Sequence, residues 1–432
     1  MTVAELTVGT QVPALGSDAV AEIVEDAIAA FAVSGRRVLM VVPDRTRSGP
    51  LATLRALVSD ALARHGAAST TWLVALGTHR GLDDAELSAH LGMEVRDGVG
   101  ADGSSVRNHR FDDPGALAHF GTLDAALIAE VSGGRLHEPV AIEANAAIVD
   151  HDLAIVLGPV FPHEVVGFSG GNKYFFPGIS GREMIDRSHW LGALITSREM
   201  IGTLGTTPVR AMINAAVAAL PIERRCLAMV VRPSAAEEAD PSESGLSGLF
   251  AGTCEEAFAA ASACSAGVHV RYLPAPYRRV VSLMAGRYED MWTAAKGMYK
   301  LEPVVADGGE VIIFAPHIGE FSTVHGAELE RVGYHCRDYF LGQWDRFSSV
   351  PPSVLAHSTH LRGQGSFDPA TGREQDRIDV VLATGISPER CRAMNLGYRD
   401  PAQVDFETLA ADPDTLIVPD AGEILFRLEG ER

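Results

Sequence analysis

Three observations in this 432-residue chain predict an α/β fold made of two α/β domains with mostly parallel sheets. Short apolar runs bounded by turns alternate with stretches of helical periodicity, which favours layered helices and sheets over an all-α or all-β architecture. The strongest of these runs are continuous rather than alternating, as strands buried on both faces are. The length exceeds what one hydrophobic core organises, so a second domain is expected, with the active site in the cleft between the two.

The elements follow in order. Residues 36–44 (RRVLMVVPD) read as a buried strand and 49–66 as the helix after it. Residues 69–81 (STTWLVALGTHRG) are a second strand running into a loop, and 151–163 (HDLAIVLGPVFPH) a third. Residues 180–196 and 207–220 read as helices, the first capped by Ser180 with Glu183 three positions on. A Ser/Glu/Pro-rich stretch, 232–245, reads as an exposed excursion. A second block then follows: strand 278–286, helix 289–305, strand 309–316 and strand 378–385. The domain division is placed near residue 275, giving a cofactor-binding and catalytic domain over 1–275 and a C-terminal α/β domain over 276–404. Residues 405–432 are expected to return to either.

Composition narrows the function. A net charge of −20 argues against nucleic acid or an anionic membrane as the partner. No apolar run approaches the roughly 20 residues of a membrane helix, and the first ten residues lack the basic and apolar regions of a signal peptide. Five scattered cysteines without a CxxC pair point to a reducing, cytoplasmic setting. The basic residues are the most telling: of 36, only Lys173, Lys296 and Lys300 are lysine. A position that keeps Lys in so arginine-rich a chain suggests that an amine, able to be acylated, is wanted there.

Asp44, His79 and His163 each fall just past the C-terminal end of an expected strand, the edge at which open α/β sheets bind ligands. Asp44 opens DRTR, in which Arg47 offers a fork for a carboxylate or phosphate near a helix N-terminus. His79 sits in GTHRG, and His163 begins a stretch leading to GFSGGNK. That last motif fails the Walker A pattern, because Tyr174 stands where a Ser or Thr would hold Mg²⁺. Its Gly170–Gly171 pair still suits a phosphate nest, and no GxGxxG accompanies it. His189 lies 16 residues beyond Lys173 on an expected helix, and Lys296 lies on another. The histidines of 315–321 and 357–363 are indistinguishable from loop residues.

Taken together, DRTR, GTHRG, PHxxxGFSGGxKxxxPGxSG, the following His189 and the Lys296 helix resemble the nickel-pincer lactate racemase family over most of the chain. That resemblance implies a pyridinium-3-thioamide-5-thiocarboxylic acid mononucleotide, the nickel-pincer nucleotide, tethered through a thioamide to Lys173. Its ring carbon and two sulfurs would hold Ni(II) with His189 as the fourth ligand, a donor set suited to a square plane. Gly170 and Gly171 would let the backbone approach the cofactor, and Asp44 would orient Arg47 or contact the cofactor. The implied reaction removes a hydride from Cα of a 2-hydroxy acid and returns it to the opposite face, with His79 and His163 as the two bases. Arg47 and Lys296 would hold the substrate carboxylate.

One departure stands out. The lactate enzymes carry Gln three residues before this lysine, whereas this chain has Thr293, preceded by Trp292. The shorter side chain leaves room for a larger substrate, including a sugar acid. The expected partners are thus a small 2-hydroxy acid and the cofactor biosynthesis proteins that load the enzyme. Two other readings are a non-catalytic carrier of the cofactor, for which Lys173 and His189 would suffice, and a nickel-free phosphate-ligand enzyme built on the SGGNK loop.

Overall fold

The structure is a computed structural model that describes residues 14–233 and 244–431; residues 234–243 of the expected excursion lie outside the described residues. The fold is α/β, as the alternation predicts. The first sheet contains β1 (Arg37–Val42), β2 (Ser69–Val74), β3 (Ser105–Asn108), β4 (Leu153–Pro159), β5 (Glu223–Val231) and β6 (Leu246–Gly252). Their order is β6-β5-β4-β1-β2-β3, extended past β3 by two two-residue strands. The central pairs β5–β4, β4–β1, β1–β2 and β2–β3 are parallel, whereas β6 pairs antiparallel on β5 and the two short strands pair antiparallel at the other edge.

The continuous apolar runs are explained by burial of both faces. Val38, Met40 and Val42 of β1, with Leu153, Ile155 and Leu157 of β4, pack under helices Ser17–Ala30 and Leu51–Arg64. Leu39 and Val41, with Ala154 and Val156, face the opposite layer, which holds helices Arg182–Ile195, Pro208–Val217 and Cys254–His269. A period of two thus sorts one run into two cores.

The second sheet is wholly parallel: β7 (Tyr277–Met284), β8 (Val305–Ala315), β9 (Asp379–Thr384), β10 (Gly397–Tyr398) and β11 (Thr415–Ala421), in the order β10-β9-β8-β7-β11. Position 275 falls in the turn between strand Val270–Leu273 and β7. The C-terminal segment divides: β11 joins the second sheet, while Leu425–Leu428 pairs in parallel with Val270–Leu273. The largest buried cluster runs without interruption from the first sheet to the second.

Two local expectations change. The helix expected over 289–305 is broken into Met291–Ala294, Lys296–Tyr299 and a 3-10 turn, Glu302–Val304. Gly297 and Pro303 weaken it, and Gly297 lies so close on β7 that a Cβ there would come 2.3 Å from both Met284 Sδ and Ser282 Oγ. The Ser180–Glu183 capping box does not form. Ser180 forms an antiparallel bridge with Ala144, its hydroxyl donates to the carbonyls of Pro177 (3.3 Å) and Gly181 (3.2 Å), and Gly181 takes the N-cap position with no side chain to cap the helix. Glu183 instead accepts from Ala141 N–H at 3.3 Å.

Candidate active site

Because β4, β1 and β2 are adjacent and parallel, their C-terminal ends share one edge of the sheet. Asp44 follows β1, His79 lies on the loop after β2, and His163 occupies a two-residue strand just beyond β4. Asp44 is almost fully buried and completely engaged. One carboxylate oxygen accepts from Thr46 N–H (2.9 Å) and the Thr46 hydroxyl (2.6 Å), and the other meets His79 Nδ1 at 2.5 Å. Burial pushes this carboxyl up, but His79, Lys296 and Arg47 outweigh it and hold Asp44 ionised, well below the usual carboxylate range. An anionic partner at Nδ1 makes that nitrogen of His79 the donor, so that in the neutral ring Nε2 is the atom with the lone pair.

His163 is wired differently. Its Nδ1 accepts Val165 N–H at 3.1 Å, and Glu164 Oε2 lies 3.2 Å from the same nitrogen. Burial, then the charges of Lys173 and Arg47, push its pKa well below the ordinary value, so the ring is neutral. Each histidine has a carboxylate oxygen near Nδ1, but His79 donates to Asp44 whereas His163 Nδ1 accepts from Val165 N–H with Glu164 Oε2 3.2 Å away. Burial pushes Glu164 up, but His360, a backbone N–H, Arg47 and Lys173 hold it low.

The loop that carries Lys173 is fixed from below. Arg210 donates to Phe168 O (2.6 Å) and Gly170 O (3.4 Å) with its guanidinium 3.5 Å over the Phe258 ring. Asn172 donates to Asn214 Oδ1 (3.0 Å) and Glu255 Oε1 (2.7 Å). Gly170 and Gly171 have φ of 94° and 57°, the left-handed region. A Cβ on Gly170 would lie 2.5 Å from Val160 Cγ2, and one on Gly171 would lie 2.8 Å from Phe258 Cβ. The glycines are thus needed to let the protein pack on itself. Gly170 borders the central cavity, whereas Gly171 faces the helix Cys254–His269 and does not line it.

That cavity, about 150 Å³, is bounded by loops of both sheets. Asp44, Arg47, His79, His163, Gly170, Lys173 and His189 line it from the first, and Trp292, Thr293 and Lys296 from the second. Burial, then Arg47, lowers the Lys173 amine to about 8, so a useful fraction is the free base near neutral pH. His189, on the helix Arg182–Ile195, directs Nδ1 at Ile185 O (2.6 Å), which leaves Nε2 for a ligand; burial, then Lys173, lowers it to about 4. Arg47 stays charged: burial opposes this, but Asp44 and Glu164 outweigh it. Lys296 donates to Thr46 Oγ1 at 3.3 Å, and burial, then Arg47, lowers it to about 7. Thr293 borders the cavity, with its hydroxyl committed to Asp290 Oδ1 at 2.9 Å.

Sequence reasoning missed several neighbours. His357 and His360 lie on the buried helix Pro352–Arg362 and line the cavity, as do Glu164 and Tyr299. The three-residue spacing within HSTH is a helical-face signal, and Glu164 directly follows His163. Trp292 is stacked on His357 at 4.1 Å. Among the described residues no three or more His, Cys, Asp or Glu side chains gather as a metal site. An ion on His189 Nε2 would take its remaining ligands from a bound group.

The chain matches known proteins in three ways. A family model described as the lactate racemase N-terminal domain covers residues 17–202. The lactate racemase of Thermoanaerobacterium thermosaccharolyticum is 27% identical over 325 residues, a match spanning 74% of this chain and 66% of that protein's length. A Thermotoga maritima protein of known crystal structure superposes with a TM-score of 0.87 at 33% identity, covering 96% of this chain and 99% of that one. The lactate racemase apoprotein from T. thermosaccharolyticum superposes at 0.70 with 19% identity, over 94% and 93% of the two chains, a likeness of fold.

Proposed function

The chain belongs to the lactate racemase family, and from that premise we propose that it is a nickel-dependent racemase or epimerase of a 2-hydroxy acid. The observation that carries this reading is the pair of imidazoles, His79 and His163, each with a carboxylate oxygen near Nδ1, in one cavity with Arg47 and Lys296. Two bases are what inversion at a hydroxyl-bearing carbon needs, because the hydroxyl of each enantiomer points a different way. For one hand, His79 Nε2 takes the hydroxyl proton, and the charge that develops on the ring is stabilised by Asp44. For the other, His163 does so in the tautomer that carries its proton on Nδ1 beside Glu164 Oε2, reached when the Val165 N–H bond to Nδ1 is released. Arg47 and Lys296 hold the carboxylate while Cα passes through a planar 2-keto acid.

The residues present fit a nickel-pincer nucleotide. Lys173 offers a lowered amine for the tether, and His189 offers a neutral imidazole with Nε2 uncommitted. Such a group, when bound, would supply a hydride acceptor beside Cα. Loading proteins would have to deliver it. We place the division between a cofactor-binding region and a C-terminal α/β region near residue 275, with the site in the cleft between them.

The test is racemisation by the loaded enzyme, followed in both directions with single enantiomers of a 2-hydroxy acid. Alanine at His79 or at His163 is expected to cut turnover by about 100-fold or more in each direction, since a racemase passes through both bases in either direction. Full activity in both variants would refute the two-base mechanism. A carrier protein would show no turnover with any hydroxy acid.

A further inference from the structure

Next to His79 and Thr293 the cavity opens into an annexe of about 60 Å³, which shares Thr78, His79, Trp292 and Thr293 with the main chamber. Through Thr78, His79, Arg80, Val324 and His325 the annexe continues into an open crevice of about 550 Å³. Whatever substituent Cα carries besides its hydroxyl and carboxylate thus has a path outward from the chamber.

The lining of this path holds polar groups without partners. His325 is 5% exposed, and its Nε2 makes no hydrogen bond. Its backbone N–H donates to Ser322 Oγ at 3.0 Å and its ring lies 4.4 Å from that of Trp292, so the imidazole is fixed in place. The Thr78 hydroxyl has no partner among the described residues. Arg287 Nε is also unpartnered, and its Nη2 meets Asp420 at 2.8 Å as an ion pair without hydrogen-bond geometry. Folded proteins rarely leave buried polar atoms unmatched, so a cluster of them around one pocket marks a place where a bound molecule supplies the partners.

The charges select a neutral partner. Asp44, Glu289 and Asp290 line the annexe, and two of its arginines are already matched, Arg45 with Glu86 at 2.6 Å and Arg80 with Glu86 at 2.6 Å and Glu289 at 3.2 Å. A second carboxylate on the ligand would meet like charge. His325 is uncharged at neutral pH, because burial, then Arg182, lowers its pKa to about 4. A neutral imidazole can donate to or accept from a hydroxyl. The volume exceeds the roughly 10–15 Å³ that one water needs, so more than one hydroxyl fits.

We propose that the substrate is a 2-hydroxy acid whose side chain carries further hydroxyl groups, and that His325 and Thr78 bind them in this annexe. This rests on the racemase reading above. Thr293 contributes by being short: its own hydroxyl is taken by Asp290 at 2.9 Å, and its small side chain keeps the mouth of the annexe open.

The experiment uses enzyme whose Lys173 adduct has been verified by mass. It measures kcat/KM for single stereoisomers of acids matched in carbon number, glycerate against lactate and gluconate against 2-hydroxyhexanoate. The hydroxylated member of each pair is expected to exceed its deoxy partner by at least about tenfold, because a site with polar groups to satisfy rejects the analogue that lacks the hydroxyl. His325→Phe keeps a ring to stack on Trp292 but removes Nε2, and Thr78→Val keeps the shape but removes the hydroxyl. Each is expected to lower the ratio within a pair by about tenfold, whereas a purely structural defect lowers both members together. Preference for the deoxy acids, or a ratio that either variant leaves unchanged, would overturn the side-chain assignment and leave the racemase reading standing. Absence of turnover with every acid would remove that reading, and this inference with it.

Discussion

Lys173, Lys296 and Lys300 are the only lysines of the chain, and none of them is exposed. Lys300 donates to Glu423 O at 2.9 Å, Lys296 sits against Thr46, and Lys173 borders the cavity. Their scarcity was legible in the sequence. Their environments were not, because the groups that set them, Arg47 foremost, come from a loop more than a hundred residues away. Lys296 gives a prediction at this scale. Its ammonium binds a carboxylate only while protonated, and its pKa is about 7 in the free protein. The cation is therefore present at lower pH and lost as pH rises through that value. KM should climb above about pH 7 by up to about tenfold per unit, whereas Lys296→Arg should hold it flat. A wild-type KM that does not change with pH would show that Lys296 does not hold the substrate.

The loop that carries Lys173 is an element whose stiffness comes from packing rather than from regular structure. Gly171 is held at φ 57° with Phe258 and Cys254 O against it, so Gly171→Ala must displace the helix Cys254–His269 or the loop. It is expected to destabilise the protein by about 1–3 kcal/mol, read as a shift in the denaturation midpoint; an unchanged midpoint would mean that the loop yields freely. Elements with a clear period were legible: β1, β2 and β4 appear where apolar runs place them, and helices Leu51–Arg64, Arg182–Ile195 and Pro208–Val217 where 3.6-residue spacing does. The 289–305 segment was not, because its apolar pattern is helical while Gly297 is shaped by a strand that no local pattern reveals. The helix Pro352–Arg362 was also missed. It is buried throughout, and its polar residues are spread around it rather than set opposite an apolar stripe, so its sequence lacks the amphipathic period that marks a surface helix.

At the scale of the molecule, the two sheets are bound by one continuous core and by the last strand, which crosses back to pair with Val270–Leu273. The sequence left the destination of that strand open, since its pairing is set by contacts across some 150 residues. Leu425 and Phe426 are buried there, so deleting residues 422–432 should cost about 3–6 kcal/mol of stability, measured by chemical denaturation. A truncated chain as stable as the intact one would show that the strand is dispensable. The site depends on the same arrangement, because Lys296, Trp292 and the histidines of helix Pro352–Arg362 meet the strand-end loops only when both sheets are in place. The central claim is that this cavity holds a nucleotide bonded to Lys173. The most direct measurement is the mass of the Lys173 peptide after production with cofactor-making enzymes and nickel. The account predicts an adduct of nucleotide size on Lys173 and none on Lys296 or Lys300. An unmodified Lys173, under conditions that load another member of the family, would contradict it.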